Sequence, residues 1–360
     1  EIFAMYDIAI IGAGPAGATL ARLLPDNYKV LLIDKRQITN PHGNTSAKCC
    51  GGLLAPDAQG MLSRMGLGLP KSVLVNPQLF VVRAIDVQKK LERYYQRYYI
   101  NMDRQKFDSW LLSMVPSHVD IRLACRFKLY ESENDCIKIK LIQNNKIYTE
   151  NTKILVGADG ASSRVRKQAI PDRPFPKSYF SIQEQVEANS QLPYFSAIFD
   201  PEISDYYCWT IPKENYLIIG ATLYPRLEVP AKFELLKNKL KDYGFHFGKT
   251  IRRNSAFILR PTKIHQLSTG SGPVILLGEA GGWISPSSAE GLSYAFRTAL
   301  ILTRLLRKSP DNLEKRFRQK TKKLKANIFL KSLKSHLIYN PFLRNIVMKT
   351  GIQSMNIYES

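Results

Sequence analysis

The chain has 360 residues, room for one large or two medium domains with a real core. Lysine and arginine number 52 against 30 acidic residues, and the formal net charge of +22 narrows its partners to nucleic acid, an anionic membrane surface, or an acidic protein or substrate. The five cysteines are odd in number and irregular in spacing, which argues against a disulfide framework and makes a reducing cytoplasm the expected setting.

Met5 reads as the start, with Glu1–Ala4 ahead of it. The run "YDIAIIGAG" that follows lacks the basic lead and cleavage site of a signal peptide, and no stretch reaches about 18 consecutive apolar residues. "YDIAII", "GAGPAG", "ATLARLL" and "KVLLIDK" read as strand, turn, helix and strand, the strands apolar enough to be buried on both faces of a parallel sheet. Residues 79–87 and 92–100 read as strands, and "DRQKFDSWLLSMV" as a helix opened by Asp103. Residues 120–156 read as a short meander with Asn and Asp at its turns. Residues 178–224, rich in aromatics and alternation, suggest a second sheet. Residues 273–307 return to strand, turn and helix. Beyond 300, Lys and Arg alternate with Leu, Ile and Phe at helical spacing, a pattern that suits a helix at lipid headgroups and equally a solvated face on packing helices. No nucleic-acid-binding signature accompanies the charge.

"GAGPAG" places Gly12, Gly14 and Gly17 in GxGxxG between a buried strand and a helix. Gly12 permits the tight turn, Gly14 the approach of a pyrophosphate, and Gly17 close helix–strand packing, while the helix N-terminus faces the phosphates. Asp34 follows about 20 residues on, at the end of the next strand, where a carboxylate can accept from a ribose. Two further glycine–acid pairs, Asp159-Gly160 and Gly278-Glu279, follow other strands. A nicotinamide site does not need all three bends; a long FAD molecule crossing a domain can use them. The helix beginning near Gly291 would turn its positive end to the flavin. Taken singly, each bend is equally an ordinary strand-end turn.

The chain resembles a known family. "GAGPAG", "DRQKFD", "GADGASSRVR" and "GEAGG…PSSAEG" are similar to the flavoprotein superfamily of p-hydroxybenzoate hydroxylase and the geranylgeranyl reductases. "CGGLLAPDAQ", "YYQRYYINMDRQKFD", "CWTIPKENYLIIG" and "GEAGGWISPSSAEGLSYA" resemble more closely the CbrA-type bacterial flavoproteins of the geranylgeranyl reductase branch. The resemblance implies FAD contacts at Gly12, Gly14, Gly17, Asp34, Arg104, Asp159, Glu279 and Gly291. Ala13, Pro15, Ala16, Lys35, Gly160 and Leu292 complete the expected cofactor set. Two departures stand out: Glu279 where the superfamily usually has Asp, and Ala289 where it has Gly, the second suggesting a different turn.

In "AKCCGGLLAP", Cys50 takes the position of the branch's cysteine near the flavin, and Cys49 does not. The adjacent cysteines fit neither a zinc site nor a C-x-x-C redox pair, so no metal is expected. Cys50 reads as a substrate-positioning or proton-donating thiol, or as a small buried side chain. Tyr207 and Trp209 alternate with Cys208, so on a strand they share one face; with Phe195 and Phe199 they form either an apolar wall for a ligand or plain sheet core. Cys50, Trp209 and Tyr207 are the expected catalytic set.

These readings give an α/β fold: a doubly wound FAD-binding domain from residues 5–78, 101–175 and 265–305, an antiparallel substrate sheet from 79–100 and 176–264, and a basic helical tail over 306–360. The expected function is FAD-dependent reduction of carbon–carbon double bonds in a polyprenyl or other hydrophobic lipid. The alternatives are an FAD-dependent monooxygenase and a non-catalytic lipid-binding flavoprotein. Expected partners are a hydrophobic substrate, an electron donor (NAD(P)H or an acidic carrier protein) and an anionic membrane surface at the inner face of the cytoplasmic membrane. Nucleic acid is not among them.

Overall fold

The computed structural model describes residues 5–38, 49–133, 136–188, 193–225 and 228–358. The chain divides into two compact units: residues 1–46, 105–177 and 259–332 form the first, and residues 47–104, 178–258 and 333–360 the second. This differs from the expected boundaries: residues 101–104 group with the second unit and 259–264 with the first, and two larger changes accompany them. Residues 47–78 group with the second unit, because strand Leu53–Leu54 pairs with Ile100 and Asn101 there. The basic tail is divided between the units at Ser332.

The first unit is built on a mixed sheet. Strand Tyr6–Ile11 lies at its centre, parallel to Val30–Ile33 on one side and to the second half of Lys146–Gly157 on the other. Val274–Leu276 and Asp120–Arg122 extend the parallel part. The first half of Lys146–Gly157 pairs antiparallel with Cys136–Gln143, which pairs with Arg126–Glu133. The expected meander is therefore present from Arg126 on, Asp120–Arg122 having joined the parallel sheet instead, and one long strand links the two. Ile8, Ala9 and Ile10 are fully buried, as a strand covered on both faces requires. Burial of each isoleucine contributes roughly 1.5–3 kcal/mol. Helix Pro15–Leu23 opens with proline in its first turn, where the missing N–H costs nothing. It packs against helix Leu292–Leu306, and Tyr28 Oη donates to the Leu306 carbonyl at 2.9 Å.

The second unit holds an eight-stranded sheet in the order 250–260, 177–187, 216–223, 208–213, 194–199, 79–86, 91–101 and 53–54. Its described neighbours run antiparallel, except that Tyr194–Phe199 pairs parallel with Leu79–Asp86. Helix Val229–Asp242 covers one face through Phe233, Leu236 and Leu240, over Cys208, Ile219 and Ala221. The opposite face carries Leu79, Tyr99, Trp209, Ile211 and Ile218. Alternation along strand Cys208–Lys213 places Cys208 under the helix and Trp209 on the other side.

Candidate functional site

The three glycine bends converge within the first unit. Gly12 has φ +106°, a conformation L residues rarely adopt, and a Cβ there would sit 2.4 Å from the Ala158 carbonyl oxygen. The Ala158 amide in turn donates to the Ile11 carbonyl at 2.8 Å. On Gly17 a Cβ would lie 1.8 Å from the Gly12 oxygen, which is why helix and strand can meet so closely. Gly278 has φ +51°, and a Cβ on it would lie 3.3 Å from the Ala16 Cβ. Gly14 is different. The nearest heavy atom to a Cβ there is Arg36 Nη2 at 3.9 Å, so its missing side chain leaves open space at the start of a helix. That cradle fits a pyrophosphate.

Asp34 is buried at the strand end, as expected, and its oxygens are heavily engaged. Oδ2 accepts from the Ala13 amide at 2.9 Å and Arg36 Nη2 at 3.0 Å; Oδ1 accepts from the Arg36 amide at 2.8 Å and Nε at 3.1 Å. Four donors fill the carboxylate's roughly four lone-pair sites. A ribose hydroxyl must therefore displace one of Arg36's bonds. Arg36 also reaches Asp108 at 3.4 Å. Sequence reasoning passed over Arg36 and named Lys35, which is exposed. The signal was the spacing: on an extended chain, positions 34 and 36 share a side and 35 does not.

Asp159 Oδ2 accepts from the Arg164 and Val165 amides at 2.8 and 3.3 Å, at the start of helix Arg164–Ala169. Its Oδ1 is buried with no partner among the described residues. Burial pushes this carboxyl above its ordinary value against those hydrogen bonds. An unpaired buried acceptor beside the glycine turn suits a cofactor hydroxyl. Gly160 follows at φ +77° with nothing near its absent Cβ. Arg166, fully buried, donates to the carbonyls of Gln266 at 2.6 Å and Ala280 at 3.5 Å and lies over the Phe175 ring, so it holds the Gly278–Gly281 turn in place.

Glu279 Oε1 accepts from the Leu259 amide at 2.9 Å. Gly291 caps helix Leu292–Leu306, and Leu292 is buried. Glu290 takes the Ser293 amide at 2.7 Å and its hydroxyl at 2.6 Å. A carboxylate on this terminus offsets the helix dipole, so the end offers an anion less than an uncapped one would. Ala289, where the superfamily's glycine was expected, adopts the left-handed conformation itself, at φ +52°. That conformation costs alanine about 1 kcal/mol. Ala289→Gly is expected to raise unfolding stability by about 0.5–1 kcal/mol, read as a higher urea midpoint at unchanged slope. A lower midpoint would mean that the methyl packs usefully there.

Both adjacent cysteines lie in the second unit. Cys49 is buried, its sulfur 3.6 Å from the carbonyls of Ser181 and Asn254, so it packs the loop onto the sheet. Cys50 is half-buried, and Arg104 Nη1 lies 3.4 Å from its sulfur. Arg104, expected at the pyrophosphate, is thus placed at the thiol. A guanidinium at that distance offers the sulfur a charged hydrogen-bond donor. Gln183 Nε2 donates to the Cys50 carbonyl at 3.3 Å. Gly51 passes Ile211 so closely that a Cβ would sit 2.3 Å from its Cδ1, and Gly52, at φ +65°, would place one 2.2 Å from the Met102 oxygen.

Tyr207 and Trp209 do share a face, with ring centroids 5.6 Å apart. Phe195 packs on the same cluster, edge-on to Tyr99 at 5.5 Å; Phe199 belongs to a neighbouring cluster with Met348. Trp209 is held against Gly220, where a Cβ would lie 2.1 Å from the indole. The indole N–H is buried without an acceptor among the described residues. Burial holds the Tyr207 phenol well above its ordinary range, so at neutral pH it is a donor and not a base.

Lys213 was missed. Its buried ammonium donates to the carbonyls of Gly52 at 3.2 Å and Met102 at 3.0 Å and to Asn101 Oδ1, tying the cysteine loop to the end of strand Leu91–Asn101. Burial depresses its pKa to about 7. An unfolded lysine titrates near 10.4. Between those values the unfolded chain binds a proton the folded chain has released, so this position adds stability as pH rises. Thermal unfolding of the wild type, compared with Lys213→Met, should therefore show a difference that grows from about pH 7 to pH 10. Parallel pH profiles would refute the assignment.

The strand–glycine turn–helix, the acid on the next strand and the two further converging bends define a dinucleotide-binding flavoprotein fold. The chain belongs to the family described as FAD binding domain, whose model matches residues 5–203, and its cofactor is FAD. It is similar to Protein CbrA of Escherichia coli O6:H1, with 39% identity over 96% of this chain and 94% of that protein. Among solved structures, it is similar to a geranylgeranyl bacteriochlorophyll reductase-like protein of Thermoplasma acidophilum, with TM-score 0.77 and 18% identity over 95% of this chain and 90% of that one. It is also similar to pqsL, a probable FAD-dependent monooxygenase of Pseudomonas aeruginosa, with TM-score 0.69 and 17% identity over 97% of this chain and all of that one. At these identities the structural likeness concerns the fold.

Proposed function

We propose that this chain is an FAD-dependent oxidoreductase that reduces carbon–carbon double bonds of a polyprenyl or similar hydrophobic lipid. Bound FAD supplies the hydride chemistry. Gly12, Gly14 and Gly17 would hold its pyrophosphate, and Asp159 Oδ1 would accept one of its hydroxyls. Saturating a double bond adds a hydride to one carbon and a proton to the other. In this reading the Cys50 thiol gives up the proton. Arg104, 3.4 Å from the sulfur, stabilises the thiolate left behind. Tyr207 and Phe195, part-buried against the buried rings of Trp209 and Tyr99, are the aromatic side chains an isoprenoid chain would meet. The observation that carries the reading is the Cys50–Arg104 contact, in the same unit as that aromatic cluster.

A second reading is hydroxylation of an aromatic or apolar substrate, favoured by the likeness to a probable monooxygenase, since one fold hosts both chemistries. A non-catalytic flavoprotein that binds lipid is the third. Incubation of the reduced protein with prenyl lipids, first without oxygen and then in air, separates them. A product heavier by two hydrogens supports the reductase. Oxygen uptake with a hydroxylated product supports the monooxygenase, and no flavin reoxidation by any substrate supports the third. The basic surface suits an acidic carrier protein as electron donor, alongside NAD(P)H.

A further inference from the structure

The last helices of the chain, Lys322–Tyr339 and Pro341–Thr350, bury Leu324, Ile328 and Met348 but display a second apolar row to solvent. On the first, Leu330, Leu333 and Leu337 recur at helical spacing and are about half exposed or more, at 63%, 51% and 49%, while Ser332 and Ser335 are buried. On the second, Phe342 is 71% exposed and Ile346 46%, while Arg344 is 5% exposed. Arg344 Nε bonds Asp86 Oδ2 at 2.8 Å, and its guanidinium lies over the Phe199 ring. Ile352 follows, also exposed. A helix facing water alone places serine and arginine outward and leucine and phenylalanine inward. Apolar side chains displayed in this way mark a surface that something covers.

Charge identifies the cover. Residues 322–358 contain seven Lys or Arg and no Asp or Glu. Lys322, Lys323, Lys334 and Lys349 are exposed, Lys334 within the leucine row and Lys349 one turn beyond Ile346. A second copy would bring the same positive charge to the contact. No helix among the described residues is long and apolar enough to cross a membrane. We propose that these helices dock the protein on an anionic phospholipid surface, with leucine, isoleucine and phenylalanine side chains in the interfacial layer and lysines at the phosphates. The inference is independent of which substrate the enzyme takes.

The test is co-sedimentation of the full FAD-loaded chain with vesicles of phosphatidylcholine alone and of phosphatidylcholine with phosphatidylglycerol, at low and high salt. Binding to the anionic vesicles should be at least about tenfold tighter and should weaken with salt. Lys322→Glu/Lys323→Glu/Lys334→Glu should remove the lipid-charge dependence, and Leu333→Ser/Leu337→Ser/Phe342→Ser should weaken binding at both salts, with FAD content unchanged. Equal or absent binding of the wild type to the two vesicle types would overturn the proposal. So would sedimentation showing a wild-type dimer that the serine variant abolishes.

Discussion

Gly14→Val is expected to yield a folded protein that no longer binds FAD. The geometry separates this glycine from its neighbours. A side chain on Gly12 or Gly17 would collide with backbone at 2.4 or 1.8 Å, so substitution there disturbs the turn itself. On Gly14 the nearest obstacle is the movable end of Arg36 at 3.9 Å. Valine therefore fits the free protein but fills the space a pyrophosphate needs. Affinity should fall at least about a thousandfold, some 4 kcal/mol, while circular dichroism and the unfolding midpoint stay near those of the wild type. Visible absorbance of the purified variant reads the result. A yellow, saturated variant would mean that the phosphates do not pass Gly14.

Cys50→Ala is expected to retain FAD and lose turnover. The thiol is half-buried beside Arg104, and its removal leaves the Gly51–Gly52 loop anchored by Lys213 and Gln183. A lost proton donor lowers the rate about 10²–10⁴-fold. Cys50→Ser, which keeps an exchangeable proton, should recover part of that loss. Losing only affinity for substrate, with kcat intact, would reduce Cys50 to a packing or positioning role. Cys49→Ala serves as the control, because that sulfur meets carbonyl oxygens of the sheet; it should lower stability and leave the rate alone.

The nucleotide-binding half was legible because its chemistry is local. A buried strand, a glycine turn and a helix start lie within twenty residues, and Gly12 and Gly17 answer backbone contacts that the structure displays while Gly14 leaves space. Asp34 was legible for the same reason. Its saturation by Arg36 was not, since a motif names residue types and says nothing of which donors reach a carboxylate first. Lys213 was hidden because a lysine at a strand end normally reads as solvated; only pairing with Gly52, Asn101 and Met102, more than a hundred residues away in sequence, buries it. Ala289 was not legible as a left-handed residue, because the backbone bonds between Ser285 and Ala289 and between Ser285 and Glu290, which hold it so, leave no mark in the sequence. The tail read as basic and amphipathic, but which face looks outward is decided by tertiary pairing such as Arg344 with Asp86.

The central claim is that the three glycine bends of the first unit hold one FAD. Titration of the wild-type and Gly14→Val chains with FAD, followed by flavin fluorescence, tests it most directly. The account predicts saturation at one FAD per wild-type chain and none for the variant. Absence of saturable uptake by the wild type, or equal uptake by both, would contradict it.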